Sequence, residues 1–174
     1  MNALIVYESM FGNTRSIAEA IAEALESAGT STTLAPAAAA PSDLSDFSLI
    51  VVGAPTHAHG LPRPESRVDA AEWAADPAAD LVLEPTAGDS GVREWLDGIK
   101  LAGSPRFAVF STRAAIPRIF AGDAGTAIAK RLRRHGAHVD AHEAFLVDLH
   151  NHLVDDEVAR AREWAAGLVP VPTS

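Results

Sequence analysis

The sequence predicts an α/β domain, a doubly wound five-stranded parallel sheet with helices on both faces. Three observations carry this. Continuous apolar runs at residues 3–7, 48–54 and 106–111 are bounded by turn formers, as expected of strands buried on both faces. Helical patterns with one apolar face lie between such runs. Strands and helices alternate five times along the chain, the order that produces a parallel sheet covered by helices.

The first strand, residues 3–7, runs into a short polar loop and then at once into a helix. Ile17, Ile21, Ala24, Leu25 and Ala28 share one helix face, and Glu19, Glu23 and Glu26 take the other. Gly29 is a natural stop, since it adopts the left-handed conformation cheaply. Residues 31–34 read as a short second strand. An Ala/Pro loop follows over 35–41, and Ser42-Asp43-Leu44 is expected to open one helical turn. The third strand, 48–54, ends in a loop over 55–62 that is rich in turn formers and side-chain donors.

Residues 64–75 read as a helix and 75–91 as a long surface loop, because two Pro, two Gly and little periodicity fall there. A short helix over 92–96 precedes the fourth strand, 106–111. The loop 112–121 holds Arg113, Pro117 and Arg118. Residues 123–135 form a helix with Ala127, Ile128 and Leu132 inward. Its Lys130, Arg131, Arg133 and Arg134 suit the negative end of the helix dipole. Val139 and residues 145–147 give the last strand, broken by 140–143. Asp155 and Asp156 open a final helix whose buried stripe is Val158, Ala161, Trp164, Ala165 and Leu168. Residues 170–174 read as a frayed tail.

The totals suit one domain over residues 1–174, with 48% hydrophobic and 21% charged residues. No apolar run reaches the length of a membrane span, and no signal peptide is visible ahead of the first strand. The absence of cysteine excludes a disulfide framework, a thiolate nucleophile and an iron–sulfur site on this chain. A net charge of −9 argues against a nucleic-acid surface. The expected location is the cytoplasm, with no membrane partner.

Ligands of such sheets bind at the carboxyl ends of the strands. The informative loops are therefore 8–13, 55–62, 112–121 and 148–153. The first is the usual place for an anion, where a phosphate meets free backbone N–H groups and the positive end of the helix dipole. Gly12 lets the backbone approach a ligand closely, and Ser9, Asn13 and Thr14 add short donors. There is neither Gly-Lys-Ser/Thr nor G-x-G-x-x-G, so nucleoside-triphosphate and dinucleotide loops lose their main signals. The same residues also suit a ligand-free helix cap.

Ser9-Met10-Phe11-Gly12-Asn13-Thr14 resembles the flavodoxin loop T/S-x-T-G-x-T, matching at Ser9, Gly12 and Thr14 and departing at Phe11. Val52-Gly53-Ala54-Pro55-Thr56 and residues 107–112 resemble the family's third and fourth strands with their flanking loops. The chain looks like a flavodoxin from end to end. The resemblance implies a flavodoxin-like sheet of order 2-1-3-4-5 and an FMN cofactor. It implies that Ser9, Met10, Phe11, Gly12, Asn13 and Thr14 hold the phosphate. Pro55, Thr56, His57 and His59 would border one side of the ring system, and Ser111, Thr112 and Arg113 the other.

Many flavodoxins sandwich the ring between Trp and Tyr. Here Tyr7 sits at a strand end, and Trp73, Trp95 and Trp164 fall on predicted helices, where core packing is expected. His57 is then the candidate for stacking and Phe11 for covering an edge. The expected function is an FMN-binding redox protein, passing electrons to a partner protein or reducing a small acceptor by two electrons. Arg113 favours the latter, a quinone or flavin reductase type of oxidoreductase, because a guanidinium stabilises the anionic reduced flavin. A surface salt bridge is the alternative role for Arg113. A non-enzymatic alternative is a flavodoxin-like binding module that has lost FMN and acts through protein interaction.

Other readings fare worse. A response-regulator receiver needs acidic residues after the first strand, an Asp after the third and a Lys after the fifth, and only Glu8 fits. A serine hydrolase needs G-x-S-x-G, which is absent. His57-x-His59, His150-x-His152 and Asp148 lie at strand ends, but they meet no established metal-ligand spacing, so no metal is expected. Asp148, His150 and His152 are expected to shape the mouth of the crevice or to cap the final helix.

Overall fold

The computed structural model describes residues 1–169, so the expected tail lies outside the described residues. Five strands form one parallel sheet: β1 (Asn2–Tyr7), β2 (Ser31–Pro36), β3 (Leu49–Pro55), β4 (Arg106–Ala114) and β5 (Val139–Val147). Their order is β2-β1-β3-β4-β5, as expected. β1 and β3 are inner strands, and both faces of each are buried: Leu4, Val6, Ile50 and Val52 on one side, Ala3, Ile5, Leu49 and Val51 on the other.

The helices are α1 (Asn13–Ser27), α2 (Pro64–Ala75), α3 (Val92–Gly98), α4 (Arg118–Ala121), α5 (Ala124–Arg134) and α6 (Glu157–Ala166). α1 and α6 cover one face of the sheet through Ile17, Ile21, Leu25, Ala161 and Ala165. α3 and α5 cover the other through Val92, Leu96, Ile128 and Leu132. Among the described residues no helix is long and apolar enough to cross a membrane.

Several sequence expectations need correction. Ser42-Asp43-Leu44 is not helical. Asp43 accepts a hydrogen bond from the Ser45 amide and bridges to Lys100, so its side chain competes for the backbone groups a helix needs. The regular alternation fails at the same place. Only a 3₁₀ turn (Ala37–Ala39) joins β2 to β3, whereas α2 and α3 both lie between β3 and β4. β4 runs on to Ala114, and α4 occupies the end of the expected 112–121 loop.

β5 is continuous. As an edge strand it tolerates outward polar residues at Asp140 and His142, and a register irregularity opposite Phe107 and Ala108 absorbs Asp140, which Arg106 meets at 2.6 Å. The 75–91 segment is no mere surface loop. It contains a 3₁₀ turn (Pro77–Ala79) and packs Ala87 and Leu83 against Met10. Ala28 ends α1 as its exposed C-cap rather than joining the buried face.

Candidate functional site

The carboxyl ends of the strands converge on one cleft. The β1–α1 loop contributes Ser9, Met10 and Phe11, the first turn of α1 Asn13 and Thr14, and the end of β3 with the residue after it Pro55 and Thr56. Thr112, Arg113 and Ala114 come from β4, with Val147, Asp148 and Asn151 from β5 and the loop after it. The β1–α1 loop is shaped from within. Gly12 takes φ 93°, a left-handed conformation that a side chain resists, and its amide donates to Ser9 Oγ at 3.1 Å. Among the described residues no side chain caps α1, which leaves the first-turn N–H groups as donors toward the cleft.

Long-range bonds hold the loop in place. The hydroxyls of Thr14 and Thr112 lie 2.7 Å apart and are buried. Asn13 Nδ2 donates to the Asn151 carbonyl at 2.7 Å. From outside the cleft, the Glu84 amide donates to the Met10 carbonyl, and its carboxylate pairs with Arg15 at 3.1 Å. Behind the loop, buried Glu8 accepts from Arg67 Nε at 2.9 Å and from the Val92 amide at 3.0 Å. Arg67 also donates to Glu94 at 2.8 Å. Burial alone would lower the Arg67 pKa, but its hydrogen bonds to Glu94 and Glu8 outweigh that and raise it.

Thus nine of the sequence-predicted residues border the cleft: Ser9, Met10, Phe11, Asn13, Thr14, Pro55, Thr56, Thr112 and Arg113. Gly12 shapes their loop without lining it. Three candidates fall elsewhere. Ser111 is fully buried and donates to Asp123 Oδ1 at 2.7 Å, because alternate residues of a strand point to opposite faces. His59 is exposed with φ 69° and bridges to Gly122. His57 stacks on Trp73, with ring centroids 5.3 Å apart and planes at 25°.

That stack corrects the core role expected for Trp73, which is 51% exposed at the end of α2. Trp95 does pack inward, 7% exposed, with Nε1 donating to the Pro41 carbonyl. A second hollow adjoins the cleft across Phe11, Ala114, Asp148 and Asn151, and Trp73, Leu81 and Leu149 help to wall it. Sequence reasoning missed Trp73, Ala114 and Asn151 because their approach depends on how the 73–81 and 148–151 segments fold over the sheet.

Charge at the cleft is mixed. Arg113 Nη1 donates to the carbonyls of Ala114 and Ile116, while its Nε is buried and has no hydrogen-bond partner among the described residues. Asp148 accepts from the amides of His152 and His150, and these bonds hold its carboxyl below the usual range. Asp148 therefore closes its own turn and does not cap α6, whose N-cap is Asp156. Among the described residues no group of three or more His, Asp or Glu is placed to hold a metal ion.

Asp123 lies beneath the β4 loop. It caps α5 by accepting from the Gly125 amide and meets His142 Nε2 at 3.1 Å. Burial pushes its pKa up, but the bonds from His142, Ser111 and Gly125 outweigh that and hold the carboxyl well below the usual range. The arrangement is not a catalytic triad, because the carboxylate rather than the imidazole stands between the other two groups.

Residues 4–66 match the family model of a flavodoxin domain. No curated protein sequence matches the chain. Among solved structures, oxidised flavodoxin 1 from Bacillus cereus is 21% identical, with a TM-score of 0.64 and coverage of 95% of each chain. Two-electron reduced flavodoxin from Megasphaera elsdenii is 22% identical, with a TM-score of 0.59 and coverage of 95% of this chain and 98% of that one. An archaeal flavodoxin is 18% identical over 97% of this chain and 96% of its own, with a TM-score of 0.59. A flavodoxin domain is thus matched over residues 4–66, and the chain has the flavodoxin fold over nearly its whole length.

Proposed function

We propose that the protein binds FMN in the cleft and transfers electrons to a redox partner or a small acceptor. The observation that carries this is the uncapped start of α1 behind Gly12, facing a cleft that Ser9, Asn13 and Thr14 border. These residues fit a phosphate: the first-turn N–H groups and the helix dipole favour an anion, and the hydroxyls and the amide side chain add donors. FMN, when bound, supplies the electron chemistry. The chain's own residues bind and orient it. Ser9 and Gly12 set the curve of the loop, and Thr14 is held against β4 by Thr112. Arg113 brings positive charge to the cleft border and Asp148 brings negative charge, so the two oppose each other in setting the local potential.

The test is direct. Purified protein should be yellow or become so with added FMN, and calorimetry should show one site per chain. Riboflavin, which lacks the phosphate, should bind at least tenfold more weakly. Equal affinity for the two would remove the phosphate assignment. Colourless protein that ignores FMN would favour a binding module without cofactor.

A further inference from the structure

We propose that the hollow at the start of α2 binds the phosphate group of a small organic molecule, a second ligand beside the cofactor cleft. This goes beyond the FMN reading, because no residue of the β1–α1 loop takes part in it. The hollow measures about 390 Å³, inside the roughly 300–1,000 Å³ of small-molecule sites. Its lining includes His57 and Leu61, which offer a flat ring and an apolar side chain to the organic part of a ligand. His57 directly follows Thr56, which borders the cleft, so the two sites are neighbours.

Unused donors gather here. α2 begins at Pro64 with Arg63 as its N-cap, and no side chain among the described residues caps it. Pro64 has no N–H, so the first-turn donors are the amides of Glu65 and Ser66. The first amide to bond back is that of Arg67, to the Arg63 carbonyl at 3.2 Å. Ser66 supplies an independent sign of a ligand. It lines the hollow at only 6% exposure, and its hydroxyl has no hydrogen-bond partner among the described residues. Hydroxyls so deeply buried are normally bonded, and an oxygen of a ligand in the hollow would satisfy this one.

Charge points the same way. Arg63 and Arg93 both line the hollow. Arg93 is fixed there, its Nε donating to the Pro62 carbonyl at 3.1 Å and its Nη2 to the Leu61 carbonyl at 2.8 Å. Arg63 is exposed and has no ion pair among the described residues. Burial lowers the Arg93 pKa, and the positive charges of Arg131 and Arg63 lower it further. An anion in the hollow relieves that repulsion. Glu65 and Asp69 line the hollow too, both exposed and without an ion pair among the described residues. Water screens their repulsion, whereas the Ser66 hydroxyl and the two amides act at contact distance. The same carboxylates disfavour a polyanion, so the site selects a small ligand.

The experiment titrates FMN-saturated protein with inorganic phosphate and with phenyl phosphate at constant ionic strength, followed by NMR of the backbone amides. The amides of Glu65 and Ser66 should shift saturably with both, and phenyl phosphate should bind the tighter. Arg63→Gln should weaken both ligands about fivefold. Ser66→Ala should weaken them about tenfold, because a hydrogen bond to a charged group is lost. Arg63 is exposed and unpaired among the described residues, so its variant keeps the fold even if the Ser66 variant does not. Asp69→Asn should tighten both. If the protein takes up no FMN, the FMN reading falls, and the shifts at Glu65 and Ser66 still decide this site by themselves. Shifts confined to the β1–α1 loop, or an affinity unchanged in the Arg63 variant, would overturn the proposal. Equal affinity for the two ligands would overturn its organic part and leave a site for the inorganic anion.

Discussion

Thr14 and Thr112, 98 positions apart in the sequence, share a buried hydrogen bond of 2.7 Å between their hydroxyls. It pins the start of α1 to the end of β4, and so joins the loop expected to hold a phosphate to the strand that borders the rest of the cleft. Replacing one partner leaves the other hydroxyl buried and unpaired, at about 1–3 kcal/mol, whereas replacing both is close to neutral. Thr112→Val should therefore destabilise the protein in urea unfolding by about that amount. The Thr14→Val, Thr112→Val double variant should be less destabilised than the sum of the single changes. Strict additivity would show that the contact contributes nothing.

Gly12→Val should empty the cofactor site. At φ 93° a β-branched residue is strained by about 1–3 kcal/mol. The added Cβ itself would meet only Glu84 Oε1 at 3.4 Å, an ordinary contact, so the cost lies in the backbone conformation and in the branches beyond Cβ. Calorimetry should show loss of FMN binding together with a lower unfolding midpoint. A variant that binds FMN normally would mean the backbone at this position does not face the phosphate.

The pair Glu8–Arg67 is buried on both sides, with side chains 5% and 7% exposed. Removing one member of a buried pair costs about 3–5 kcal/mol, because a charge is left without its partner. Arg67→Leu should approach that loss in denaturant titration, and pairing it with Glu8→Leu should recover part of it. A cost below about 1 kcal/mol would show that water and the Val92 amide compensate the stranded carboxylate.

Asp123 makes stability depend on acid. Its folded pKa is depressed, chiefly because hydrogen bonds from His142 and Ser111 overcome the effect of burial. A depressed carboxylate contributes stability that is fully present above its unfolded pKa of about 4 and lost as pH falls toward the folded value. Wild type should lose stability steadily below about pH 4, while Asp123→Asn, which can still cap α5, should show a flatter acid limb. Parallel curves between pH 5 and 2 would contradict the assignment.

Arg113 and Asp148 should move the flavin potential in opposite directions. Both border the cleft, and a positive charge stabilises an anionic reduced flavin whereas a negative one disfavours it. Arg113→Ala should give a lower potential for the second electron in a redox titration, and Asp148→Asn a higher one. An unchanged potential in the Arg113 variant would show that its bonds to Ala114 and Ile116 hold it away from the ring, and would remove the support for a two-electron reductase.

The strand, loop and helix over residues 2–27 were legible in the sequence because every signal there is local. Apolar continuity marks β1, Gly12 and the short polar residues mark the turn, and a 3.6-residue period marks α1. The parallel sheet followed from the alternation of elements and its order from the resemblance, even though the helix expected near Ser42 is absent. What only the tertiary structure decided are the contacts between segments distant in the chain: Thr14 with Thr112, Glu8 with Arg67, Asp123 with His142, and His57 with Trp73. No periodicity encodes these, because each depends on register and on how a connection is draped over the sheet. Trp73 shows the limit most clearly. A tryptophan on a helix implies a core on local grounds, yet the length of the 76–91 connection and its anchoring through Glu84 and Ala87 leave that indole at the mouth of the cleft.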